Sequence, residues 1–107
     1  MEVLVVTCTF PGHEMAWRIS RAAVENGLAA CATLIPEAKS IYRWKGQIET
    51  AQETVVTFKT TKNHFEALRA FVVKDHPYEV PEVIAWPASD GSPEYLAWVE
   101  ASTGGSK

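Results

Sequence analysis

The stretch from Leu28 to Thr61 reads as one long β-hairpin, and its length limits every fold the chain can adopt. Residues 40 to 48 alternate: Ser40, Tyr42 and Trp44 fall on one face of a strand, Ile41, Arg43 and Lys45 on the other, and Gly46 supplies the left-handed conformation of a tight turn. A first strand from Ala29 to Trp44 spans sixteen residues, about 50 Å at roughly 3.3 Å per residue. Strands usually run about 5 to 6 residues, and 107 residues fold to a globule only about 35 Å across. The hairpin must therefore bend or overhang. Pro36 offers the bend, because it lacks a donor and belongs on an edge strand or at a bulge. The tip still carries Tyr42, Trp44 and Ile48 beyond any core its own chain supplies. An unpaired apolar edge of that length invites association, so other copies of the chain are expected to cover it.

The rest of the composition is that of one small domain, expected over residues 1–102, with a disordered tail over 103–107. A formal charge of −3 and the lack of a basic run leave no electrostatic footprint for nucleic acid. Apolar residues occur in short bounded segments, which excludes both disorder and membrane-spanning helices. The apolar start Val3-Leu-Val-Val has no basic flank or small-residue cleavage pattern and reads as a strand rather than a signal peptide. Two cysteines, Cys8 and Cys31, fit reduced thiols in a cytoplasmic protein better than a disulfide framework.

Taken in order, Glu2 to Phe10 is a β-branched run suited to a central strand buried on both faces. Ala16, Ile19 and Ala23 then repeat at helical spacing, and Gly27 stands where a left-handed C-cap belongs. After the hairpin, Asn63-x-x-Glu66 has the form of a capping box, opening a helix whose Phe65, Leu68 and Val72 face the core and which Pro77 ends. Glu82 to Pro87 is a last short strand, and Ser92-Pro93 starts a short helix with Leu96 and Val99 inward. The order β-α-β-β-α-β with an appended helix predicts an α+β, ferredoxin-like sandwich: one antiparallel sheet in the order 4-1-3-2, two helices on one face, and an extended hairpin between strands 2 and 3.

No phosphate loop, nucleophile triad or zinc-finger spacing is present, and an enzyme is not expected. In the predicted strand order Cys8 and Cys31 sit on strands about 9.6 Å apart, too far for one chain to close a disulfide or a shared metal site. Buried thiols acting as small apolar residues are the commoner outcome; a soft metal held by thiols across subunits is the functional one. The segment His76-Pro-Tyr-Glu-Val-Pro-Glu82 rigidly presents His76, Tyr78, Glu79 and Glu82, a set able to bind a cation or polarise a ligand. His76 also stands at a helix C-terminus, where the dipole favours an imidazolium. Lys59, on the second arm of the hairpin, is a candidate to join Tyr42, Trp44 and His76 in a polar pocket.

Five collinear motifs carry a resemblance: Leu28-Ala-Ala-Cys31, Ser40-Ile-Tyr-Arg-Trp44 with Gly46, Lys59-Thr-Thr61, His76 to Glu82, and Tyr95-Leu-Ala-Trp98. From Val3 to Ala101 the chain resembles the CutA divalent-cation tolerance family. The resemblance implies a ferredoxin-like fold and a homotrimer in which each hairpin extends its neighbour's sheet. It also implies a role in tolerance of copper and other divalent metals, with Cys8 and Cys31 at positions proposed as copper ligands in some bacterial members. A further cysteine of those members, in the second helix, is missing here, where Phe71 occupies the region. Polar clefts between subunits are a family feature, and Tyr42, Trp44, Lys59, His76, Tyr78 and Glu79 match candidates for lining them.

The expected function is therefore a cytoplasmic homotrimer that binds copper or another divalent cation weakly, with no obligatory cofactor and no nucleic-acid or membrane partner. Cys31, Cys8 and His76 are its metal candidates, and Tyr42, Trp44, Lys59, Tyr78, Glu79 and Glu82 its cleft residues. The alternatives are a module like the PII-type signalling proteins, binding a small effector between subunits, and a structural trimeric scaffold.

Overall fold

The computed structural model describes residues 2–104. Its elements are β1 (Val3–Phe10), α1 (His13–Glu25), β2 (Cys31–Trp44), β3 (Gln47–Thr61), α2 (Lys62–Lys74), β4 (Val83–Pro87) and α3 (Pro93–Ala101). The strands form one antiparallel sheet in the order β2-β3-β1-β4. This is the ferredoxin-like α+β arrangement, with β3 between the two strands that α1 connects.

Register assigns each side chain to a face. Leu4, Val6, Cys8 and Phe10 of β1 pair with Thr60, Phe58, Val56 and Thr54 of β3, and all eight are buried. They pack with Ala16, Ile19 and Ala23 of α1 and with Leu68 and Val72 of α2. Fully buried side chains of this size contribute roughly 1.5–3 kcal/mol each. The other face differs from the expectation of a doubly covered central strand. Val5 and Thr7 are only half-buried there, and beside them Ile84 and Trp86 of β4 are 56% and 48% exposed. α3 covers one end of this open face, setting Val99 against Val3 and Ala30.

Local chemistry accounts for the joints. Gly27, at φ 72°, lets α1 close in a Schellman motif, with its own N–H on the Val24 carbonyl and the Leu28 N–H on that of Ala23. The predicted capping box is not the start of α2. Pairing of β3 with β1 continues to Thr61, the Lys62 N–H bonds to the Glu2 carbonyl, and the helix begins at Lys62, ahead of the cap expected at Asn63; Glu66 instead pairs with Arg69. Ser92 precedes Pro93 at the start of α3, as the sequence predicts. Thr103, expected in a disordered tail, is buried, and the Gly104 N–H bonds to the Gly27 carbonyl at 2.7 Å; 105–107 lie outside the described residues.

The hairpin both bends and overhangs. Pairing passes from Ile35↔Val55 to Ala38↔Glu53, so Pro36 and Glu37 form a bulge, with Glu37 at φ 63°. Because β2 gains one residue there, Cys31, Thr33 and Ile35 before the bulge share the open face with Ser40, Tyr42 and Trp44 after it. Lys45 and Gly46, at φ 51° and 82°, make the two-residue turn, and both angles match type I′. The longest dimension of the molecule is 44 Å against a shortest of 22 Å. Near the tip Ile41 is 73% exposed and Ile48 57%.

Candidate functional site

The site is built where the connection from α2 to β4 crosses the end of the sheet and meets the hairpin. His76 is its hinge pin. The imidazole is buried, stacks on Phe10 with centroids 4.9 Å apart, and donates from Nε2 to the Thr9 carbonyl at 2.7 Å. Nδ1 accepts the Tyr78 backbone N–H at 3.2 Å, which places the single proton of the neutral ring on Nε2. Both nitrogens are thus engaged.

The turn at Pro77 carries Tyr78 to the open face. Its hydroxyl donates to Oε2 of Glu53 at 2.7 Å, and Ser40 Oγ donates to Oε1 at 2.5 Å. Glu53 follows the bulge directly, opposite Ala38. Its carboxylate is buried, held by one hydroxyl from the hairpin's other arm and one from the connection. Burial and the hydrogen bond to Glu53 both push the Tyr78 phenol well above its usual value, so it serves as a donor throughout the neutral range.

Around this linkage lies a cavity of about 620 Å³, lined by Tyr42, Trp44, Tyr78, Glu53, Glu79 and Glu82, with Thr9 and Ser40 among the other polar residues. Five of the six expected cleft residues therefore come together within one chain. Lys59 does not. It lies six residues from Glu53 along β3, about 20 Å away, paired with Cys31 on one side and Val5 on the other. Glu53 is the site residue that sequence reasoning missed. It directly precedes the run Thr54-Val-Val-Thr-Phe58, where a carboxylate reads as the solvated end of a strand, and only the pairing register reveals that it shares a face with Ser40 and Tyr42.

The metal candidates separate. Cys8 pairs with Val56 and faces the helices, whereas Cys31 pairs with Lys59 and faces the open side, with β3 between their strands. Burial, helped by the charge of Glu82, pushes the Cys8 thiol up to about 12, so it stays protonated. Cys31 is half-buried and its Sγ lies 3.5 Å from the Tyr95 hydroxyl. That contact, with burial second, raises Tyr95 to about 12. Among the described residues no three histidine, cysteine or acidic side chains gather closely enough to hold a metal ion. No helix among them is long and apolar enough to cross a membrane.

Comparison with known proteins agrees with this architecture. Residues 4–102 match the family model described as CutA1 divalent ion tolerance protein. The relative named Protein CutA from Mus musculus is 50% identical over 98 residues, 92% of this chain; the chain spans about half, 54%, of that relative's length. Among solved structures, the divalent cation tolerance protein (Cut A1) from Thermus thermophilus superposes with a TM-score of 0.92 at 43% identity, covering 95% of this chain and 99% of its own. CutA from Xylella fastidiosa gives the same TM-score at 42% identity, covering 96% and 99%.

Proposed function

Because the chain belongs to the CutA1 divalent ion tolerance family, we propose that it serves divalent-cation tolerance as a cytoplasmic homotrimer that binds copper or another metal ion weakly, without catalysis and without an obligatory cofactor. The observation that carries this reading is the open sheet face, which holds the half-buried Cys31 on one edge strand together with exposed apolar side chains, Ile35 farther along the same strand and Trp86 on the opposite edge strand. Covering that face with further copies removes apolar surface from water and brings thiols of different chains toward one another, which a soft ion such as Cu(I) favours. Cys8 and His76 remain further candidates on this reading, but Cys8 joins only if the core opens and His76 only if it gives up a hydrogen bond.

Calorimetric titration with Cu(I) tests it. Cys31→Ser is expected to weaken binding beyond the roughly 10–100-fold that losing even a supporting residue costs a metal site. Unchanged binding in a Cys8→Ser, Cys31→Ser double variant removes the thiols from the site.

A second reading, an effector-binding module, is favoured by the cavity at Glu53. Its volume of about 620 Å³ falls within the roughly 300–1,000 Å³ of small-molecule sites. Thermal melting across a metabolite panel tests this, since a ligand at 100 times its dissociation constant adds about 2.7 kcal/mol. A panel without a single shift counts against it.

A further inference from the structure

We propose that the cavity between the hairpin and the Pro77–Glu82 connection binds an organic cation, an ammonium group carried on a small carbon skeleton. The proposal rests on the effector reading and names the ligand class. Three observations converge on it.

The first is the charge inventory: Glu53, Glu79 and Glu82 line the cavity, and among the described residues no lysine or arginine does. The second is Glu53 itself. Glu53 is 7% exposed, both carboxylate oxygens are held by neutral hydroxyls, and none of the described ion pairs includes it. Buried charges are normally compensated by opposite charge; two hydroxyls satisfy the geometry and supply no opposite charge from within the chain. The third is at the mouth, where the chain supplies a cation of its own. Lys45 Nζ lies 5.5 Å from the centroid of the Trp44 ring and 3.8 Å from Glu79 Oε1. An ammonium over an aromatic face beside a carboxylate is the arrangement by which such cavities recognise alkylammonium ligands.

The same features select against other ligands. An anion meets three carboxylates. A bare divalent ion needs several oxygen or nitrogen ligands at once, whereas no three such acidic, histidine or cysteine side chains gather among the described residues, and both Glu53 oxygens already accept hydrogen bonds. An alkylammonium uses both halves of the lining, its charge toward Glu53 and its carbon skeleton against Tyr42, Trp44 and Tyr78.

The test uses the full chain as purified and three probes of nearly one shape: choline, its uncharged isostere neohexanol, and the carboxylate tert-butylacetate. NMR titration is expected to show choline binding about tenfold more tightly than neohexanol, and tert-butylacetate more weakly than either. Glu53→Gln should remove most of the preference for choline while leaving neohexanol unchanged. Trp44→Leu, at the partly exposed rim, should also reduce that preference, which keeps the test open if the buried variant unfolds. Lys45→Met should raise the affinity for choline, because the internal competitor is gone. Neohexanol or tert-butylacetate binding as tightly as choline overturns the cation assignment. If choline does not bind but other members of the metabolite panel shift the melting temperature, the cation assignment falls and the effector reading stands. If neither the probes nor the panel bind, both fall.

Discussion

Glu53 joins segments that are distant in the chain, and the energetic cost of disturbing it is large for a single polar contact. Tyr78→Phe removes one of its two donors without changing ring volume, leaving a buried carboxylate oxygen short of a partner. The expected loss is about 1–3 kcal/mol at pH 7, read from chemical denaturation at fixed protomer concentration. The pH dependence follows from the raised phenol. The folded-state value lies above the unfolded one, so the contribution of the protonated phenol is complete below the ordinary tyrosine value of 10.0 and is lost as pH rises past it. The stability gap between the native chain and Tyr78→Phe should therefore narrow above pH 10.0. A gap that stays constant or widens there argues against the phenol as donor. His76 presents the opposite lesson. Histidine beside acidic residues is often a free ligand, yet here both ring nitrogens are spent holding the corner that positions Tyr78.

At the scale of elements, the hairpin is two devices in series. The bulge at Pro36 and Glu37 keeps Cys31 and Tyr42 on one face, where unbroken alternation would have put them on opposite faces. The turn at Lys45 and Gly46 then sets the register of the arm that carries Trp44 to the cavity. A Cβ at Gly46 meets nothing within 4 Å, so substitution there acts through the backbone alone, at φ 82°. Gly46→Val is expected to lower unfolding free energy by about 1–2 kcal/mol, seen as a shifted denaturation midpoint at unchanged slope. An unchanged midpoint would show that the tip lies outside the cooperative unit. The unusual length of the first arm, the alternation through residues 40 to 48, the Pro36 bend and the Gly46 turn were legible in the sequence. The start of α2 was not, because the sheet decides where β3 stops.

For the whole molecule, one face of the sheet is finished by helices and the other only in part. Ile35, Ile84 and Trp86 are each close to half exposed or more, on β2 and β4, the two edge strands. Such a surface is expected to be covered by further copies, and sedimentation at micromolar concentration should find the native chain as a multimer, a trimer on the reading proposed above. Trp86→Asp places a charge on that face, 48% exposed in the single chain, and should yield smaller species or aggregates without changing the helix-side core. A folded native monomer at that concentration would sink the idea. By itself the sequence determined the element order, the ferredoxin-like topology, the overlong hairpin and the segment His76 to Glu82 as a place of concentrated chemistry. These are properties of periodicity along one strand or helix and of short-range turn chemistry. Only the tertiary structure decided that Glu53 meets Tyr78, that Lys59 stays away, and that the two thiols face opposite sides of the sheet. Each of those depends on register between strands, and a single extra residue at a bulge reverses the face that alternation alone assigns.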